Sequence, residues 1–100
     1  MTAKIVVTDE RNSQMGKCKL ADAEVHFTDG PFTGLRLIGF GVWKARTTGV
    51  RTVTFPTRTY LVNGERRSFA LLRPVEFPCA AEDTVRATIL RAYAVEMGEV

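Results

Sequence analysis

The sequence predicts an α+β domain: an antiparallel sheet of about five to six strands with a C-terminal helix packed on it. Apolar and polar residues alternate with a period of two over residues 19–28 and on both sides of the Asn-Gly pair at residues 63–64. Turn-forming pairs such as Asp-Gly and Asn-Gly separate these runs. After Pro78 the apolar period becomes helical, with Val85, Ile89, Ala92 and Tyr93 on one stripe. Runs of strands followed by a helix are typical of the α+β class.

The size and composition indicate one small domain, residues 1–100. The chain is 45% hydrophobic and 25% charged, as globular proteins are. No apolar run approaches the length of a transmembrane helix. The apolar run Ile5, Val6 and Val7 is too short for the core of a signal peptide. We therefore expect a cytoplasmic protein.

The first two strands are expected at residues 4–8 and 19–28, with a polar connection over residues 11–16. The first is rich in β-branched residues, which favour strands. The second alternates strictly, which predicts one buried face and one face toward water. Its apolar side holds Ala21, Ala23, Val25 and Phe27, and its polar side holds Asp22, Glu24 and His26.

A third strand is expected at residues 32–44 and a fourth at residues 50–55, ended by Pro56. In the third strand the apolar phase changes around Ile38 and Gly39, which predicts a bulge there. We expect Leu35 and Leu37 on one face and Ile38, Phe40 and Val42 on the other.

The segment RTYLVNGERRSFALL, residues 58–72, predicts a tight hairpin, because Asn-Gly suits a two-residue type I′ turn. Both Asn63 and Gly64 should then have positive φ. The expected cross-strand pairs are Val62 with Glu65, Tyr60 with Arg67, and Arg58 with Phe69. The second pair is a candidate cation–π contact.

The helix should begin after Pro78, with Glu82 and Asp83 in its first turn, and Gly98 is a plausible stop.

The residue types that carry catalysis or metal binding are sparse. Cys18 and Cys79 fit no metal-ligand spacing and are expected as free thiols. His26, the one histidine, is expected beside Glu24 on the polar face of a strand as an exposed or locally bonded side chain, because the sequence does not obviously supply a partner for triad or acid–base chemistry. The glycines of GLRLIGFG belong to a strand and form no phosphate-binding loop. We expect no enzyme, no metal and no small-molecule cofactor.

Positive charge is concentrated in the middle of the chain. Residues 36–75 carry eight of the fourteen Lys and Arg side chains and one of the eleven acidic side chains. Such asymmetry suggests an anionic partner, although a run of charge is more often only a solvated face. The candidate nucleic-acid-binding residues are Lys44, Arg46, Arg51, Arg58, Arg66 and Arg67.

Ordered blocks of this chain resemble the bacterial stage V sporulation protein G (SpoVG) family. The blocks are AEVHFTDGPFTGLRLI, VTFPTR, NGERRSFALLRPV and TVRATILRAY, and they cover most of residues 21–93. Residues 55–58 stand where the family has Met-Pro-Ser-Arg/Lys, and Gly64, Glu65 and Arg67 fall in its Gly-Glu-x-Arg segment. The resemblance implies a small α+β homodimer that binds DNA or RNA and regulates gene expression, septation, sporulation or cell division.

Two functions of different classes follow from these observations. One is a nucleic-acid-binding dimer that uses the basic middle segment, and the other is a protein-interaction module that pairs through exposed sheet edges. Phe40, Val42 and Trp43 have no obvious cover in a lone sheet, which favours a symmetric homodimer. Trp43 stands beside Lys44 and Arg46, so it is either a core or interface residue or a base-stacking residue.

Overall fold

The structure is a computed structural model that describes residues 1–7, 13–14 (backbone only) and 17–99. It confirms the α+β class, with antiparallel strands and one C-terminal helix packed on the sheet. The elements are β1 (Thr2–Val7), β2 (Ser13–Gln14), β3 (Lys17–His26), β4 (Arg36–Ala45), β5 (Arg51–Thr54), β6 (Thr57–Val62), β7 (Glu65–Ala70) and α1 (Ala80–Glu96).

The strands form two sheets. The larger has the order β1-β3-β4-β5, with the short β2 also paired to β3, while β6 and β7 pair only with each other in the described residues. The hairpin is therefore separate from the main sheet. The buried Pro56 lies between β5 and β6, and proline cannot donate to a continuing ladder. Its carbonyl instead accepts a hydrogen bond from the backbone N–H of Leu71 at 2.9 Å, which closes the base of the hairpin.

The predicted bulge in β4 is confirmed. Ala23 pairs with Phe40 and Val25 with Leu37, so Ile38 and Gly39 together oppose Glu24. Gly39 has a φ of 103°, which glycine adopts readily. The expectation that Ile38 shares the face of Phe40 is wrong. Ile38 is 62% exposed, because the extra residue reverses the phase only after it.

The connection predicted at residues 11–16 contains β2, which pairs with Lys17 and Cys18 of β3. Residues 8–12 and 15–16 lie outside the described part of the chain.

The core lies between the main sheet and α1. Ile89 and Tyr93 of the helix are buried in one cluster with Phe40 and Val42 of β4, as the apolar stripe predicts. The expectation that Phe40 and Val42 lack cover is therefore wrong: they are 1% and 0% exposed within a single chain. The other members are Leu20, Ala21, Ala23, Val25 and Val53.

The helix ends where Gly98 predicts. Gly98 has a φ of 74°, and its N–H donates to the carbonyl of Val95 at 3.0 Å. The N–H of Glu99 donates to the carbonyl of Ala94 at 2.9 Å, which completes a Schellman motif. This turn brings the chain after α1 to the start of β5. None of the described helices is long and apolar enough to cross a bilayer.

Candidate nucleic-acid interface

The β6–β7 hairpin has the turn that its sequence predicts. Asn63 and Gly64 have φ values of 51° and 80°. Both residues adopt the left-handed backbone conformation, which a type I′ turn requires. The register is also as predicted, with Val62 opposite Glu65, Tyr60 opposite Arg67 and Arg58 opposite Phe69.

The register divides the three hairpin arginines between the two faces. Arg58 and Arg67 share a face, because Arg58 lies two positions from Tyr60 on β6 and Tyr60 pairs with Arg67 on β7. The rings of Tyr60 and Phe69 lie 5.8 Å apart between centroids on this face. Arg67 instead lies 3.6 Å from the Glu65 carboxylate. The expected cation–π contact between Arg67 and Tyr60 is therefore wrong: no such contact joins these two described residues.

Arg66 lies on the opposite face, across from Leu61. Neither face is covered: every residue of β6 is exposed, and Leu61 retains 72% of its accessible surface. Among the described residues, no carboxylate forms an ion pair with Arg58 or Arg66. We call these three side chains the basic hairpin (Arg58, Arg66 and Arg67). Arg58 and Arg66 present unneutralised guanidinium groups on opposite sides of this two-stranded ribbon, while Arg67 lies beside Glu65.

Arg51 has a different environment from the basic hairpin. Its Nη1 and Nη2 donate to Oε1 and Oε2 of Glu99 at 2.8 and 2.6 Å. Its guanidinium also lies 4.9 Å from the centre of the Tyr93 ring. The hydrogen bond from Arg51 lowers the pKa of Glu99, and the same bond raises the pKa of Arg51. This cation is already held by a carboxylate and an aromatic face.

Lys44 and Arg46 lie near Arg51 and apart from the hairpin strands. Lys44 pairs with Arg51 across β4 and β5, and it is half-buried. Arg46 follows β4 at the start of the loop and is exposed. The six candidate residues therefore fall into two groups, the basic hairpin and a group at the β4–β5 connection.

Trp43 is fixed by contacts within its own sheet. It is half-buried, and its indole N–H donates to the hydroxyl of Thr54 on β5 at 3.1 Å. A Cβ on Gly41 would lie 2.8 Å from the indole nitrogen, so only glycine leaves room for this ring. The indole therefore rests on the Gly41 backbone.

Glu24, His26 and Arg36 form a polar cluster on the face of β3 that carries Glu24 and His26. The two-residue spacing of Glu24 and His26 places them on one strand face, so the sequence already indicates part of this cluster. Their side chains meet at 2.7 Å, and Arg36 donates to the same carboxylate oxygen at 3.3 Å. The sequence places His26 beside Glu24, but the contact of Arg36 with Glu24 depends on the register between β3 and β4, which no local pattern indicates. The hydrogen bond with His26, followed by the charge of Arg36, lowers the pKa of Glu24.

The described residues contain no group of three or more His, Cys, Asp and Glu side chains arranged to hold a metal ion. Cys18 and Cys79 are both half-buried free thiols.

Comparisons with protein-family models, with curated proteins and with solved structures find no match to this chain. The resemblance to the SpoVG family thus rests on the sequence blocks quoted above.

Proposed function

We propose that the protein is a non-enzymatic regulator that binds DNA or RNA as a homodimer in the cytoplasm, with the basic hairpin as its main contact to phosphates. The observation that carries this proposal is the exposure of Arg58, Arg66 and Arg67 on both faces of a ribbon that no other described element covers. A guanidinium fits a phosphate through two parallel hydrogen bonds. The resemblance to the SpoVG family supports the same function.

The hairpin arginines would position a nucleic-acid backbone and contribute little to base recognition, because phosphates carry no sequence information. The Tyr60–Phe69 pair lies on the same face as Arg58 and Arg67, where it offers an apolar surface to sugars or unstacked bases. We therefore propose broad binding with weak sequence preference. Lys44 and Arg46 would extend the contact, and Arg51 would join it only by leaving Glu99.

A homodimer is supported by large apolar side chains that one chain leaves open. Leu61, Val75 and Phe77 are 72%, 97% and 85% exposed. Side chains of this size and exposure are often covered at an interaction site. These residues replace Phe40 and Val42 as the reason to propose self-association.

The second candidate function is a protein-interaction module that pairs at a sheet edge. β1 is an edge strand of the main sheet, and Val6 and Val7 at its end are 53% and 50% exposed. An edge strand presents unpaired backbone groups to another chain.

Fluorescence anisotropy with labelled duplex DNA, single-stranded DNA and RNA of one length tests the proposal and separates it from this alternative. Binding through phosphates should weaken steeply with salt, because each neutralised phosphate releases counterions. No binding of any of the three probes at low salt would exclude the nucleic-acid function. Light scattering at micromolar protein should give the mass of two chains, and a mass of one chain would exclude the dimer.

A further inference from the structure

An open groove of about 810 Å³ runs between the edge strand β1 and the C-terminal half of α1. One wall is formed by Met1 and residues 2–5 of the edge strand, with His26 of β3 beside them. The other is a single face of the helix, because its residues recur at intervals of three and four. The lining residues on that face are Thr88, Arg91, Ala92, Val95 and Glu96.

The chemistry of this groove suits a segment that is both apolar and acidic. Ile5, Ala92 and Val95 give it apolar surface, and Val95 is 56% exposed. Lys4 and Arg91 give it two positive charges against one acid, Glu96, and Arg91 forms no ion pair with any described residue. A binding segment with one carboxylate between two apolar side chains would match the apolar surface and the positive charge of this groove.

The chain itself contains a segment of this composition before α1. Val75 and Phe77 are 97% and 85% exposed, and Glu76 stands exposed between them. Pro74 and Pro78 bracket these three residues, and the backbone bends over residues 75–78. No described residue forms an ion pair with Glu76.

This segment lies at the other end of the helix from the groove of its own chain. Leu72 packs against the core, and Cys79 is the N-cap of α1. The cavity beside this segment is lined by Ala81, Glu82 and Val85 of the first turns, whereas the groove begins at Thr88. Docking in the same chain would require Leu72 to leave the core, whereas docking in a second chain leaves both anchors in place.

We propose that residues 74–78 of one chain dock in the β1–α1 groove of a second copy. Glu76 pairs with Arg91 of the other chain, while Val75 and Phe77 cover Ile5, Ala92 and Val95. This inference rests on the homodimer proposed above and names its interface. With twofold symmetry the contact is made twice, which covers both grooves and both exposed segments.

Charge reversal tests this pairing directly by sedimentation equilibrium over micromolar concentrations. Glu76→Arg sets like charges together at both contacts of a homodimer, and so does Arg91→Glu. Each variant should dimerise at least about tenfold more weakly than the wild type. Both side chains are exposed, so circular dichroism should show an unchanged fold. Lys17→Glu is the matched control, because it alters an exposed cation outside the groove and should not weaken the dimer.

A mixture of the two charge-reversal variants tests the pairing more strictly than either variant alone. In a heterodimer of the Glu76→Arg chain with the Arg91→Glu chain, both contacts again bring opposite charges together. The mixture should therefore dimerise about as tightly as the wild type, although neither variant does so alone. A wild-type dimer that neither variant weakens would overturn this interface and leave the homodimer standing. A wild-type chain that stays monomeric at every concentration would overturn the homodimer and this interface together.

Discussion

Arg51 and Glu99 join the beginning of β5 to the turn that ends α1. Two parallel hydrogen bonds of 2.8 and 2.6 Å link the guanidinium to the carboxylate. The Schellman turn at Gly98 places Glu99 for this contact, and the Tyr93 ring lies against the other side of Arg51. The pair therefore fastens the last turn of the helix to the sheet.

Glu99→Gln should lower the Tm by a few degrees at neutral pH, because it removes the charge that Arg51 binds. The pKa of Glu99 is lowered in the folded protein, so its stabilising effect is present above the ordinary value of 4.5. This stabilisation by Glu99 is lost as the pH falls through the lowered pKa of Glu99 in the folded protein. Thermal unfolding followed by circular dichroism from pH 7 to pH 3 measures this.

The control is Asp29→Asn, which removes an acid that is 88% exposed and lies 3.6 Å from the N-terminal amine, an exposed pair of the kind that adds little to stability. Its Tm should stay close to that of the wild type at every pH. If Glu99→Gln matches this control at pH 7, the Arg51–Glu99 pair adds nothing to stability in solution.

Gly64→Ala should loosen the hairpin and spare the main sheet. At a φ of 80° an added Cβ meets no atom within 4 Å, so the cost comes from the left-handed backbone alone. That cost is about 1–2 kcal/mol. The backbone amides of β6 and β7 should then exchange with solvent about 5–30 times faster.

Gly49→Ala is the control for this variant. Gly49 also has a positive φ, 73°, and open space around it, but it lies in the β4–β5 connection. Gly49→Ala should not speed amide exchange in β6 and β7 more than it speeds exchange in the main sheet. Equal effects of both variants on β6 and β7 would show that the hairpin does not open independently.

Gly41→Ala should displace Trp43. The added Cβ would lie 2.8 Å from both the Trp43 indole nitrogen and the Thr54 hydroxyl, so the hydrogen bond between them must break. We expect a loss of stability of about 1–3 kcal/mol and a change in tryptophan fluorescence. Denaturant unfolding measures the first quantity. Wild-type stability together with an unchanged emission spectrum would contradict the placement of this ring.

The sequence predicts the features that depend on local chemistry. The turn at Asn63 and Gly64, its register, the bulge at Gly39 and the helix stop at Gly98 are all confirmed. Each depends on a backbone conformation that few residues adopt, so a single residue type is a strong signal.

Features that depend on packing between distant segments are not predicted. Nothing in the sequence indicates that α1 covers Phe40, because the apolar stripe of a helix does not say which strand it meets. The contact between Arg51 and Glu99 spans 48 positions, and no local pattern links them. The sequence therefore predicts Arg51 as a contact to an anionic ligand, although this side chain is already paired with Glu99 in the fold.

The most direct test of the basic hairpin is the salt dependence of nucleic-acid binding by the double variant Arg58→Ala/Arg67→Ala. These two arginines share one face of the ribbon and are exposed. If they bind phosphates, the slope of log affinity against log salt should flatten by about 1–2 units, to a similar extent for different sequences. The control Lys17→Ala/Arg36→Ala removes two cations from the main sheet and should keep the wild-type slope. An unchanged slope in a folded Arg58→Ala/Arg67→Ala protein would contradict phosphate binding at the hairpin.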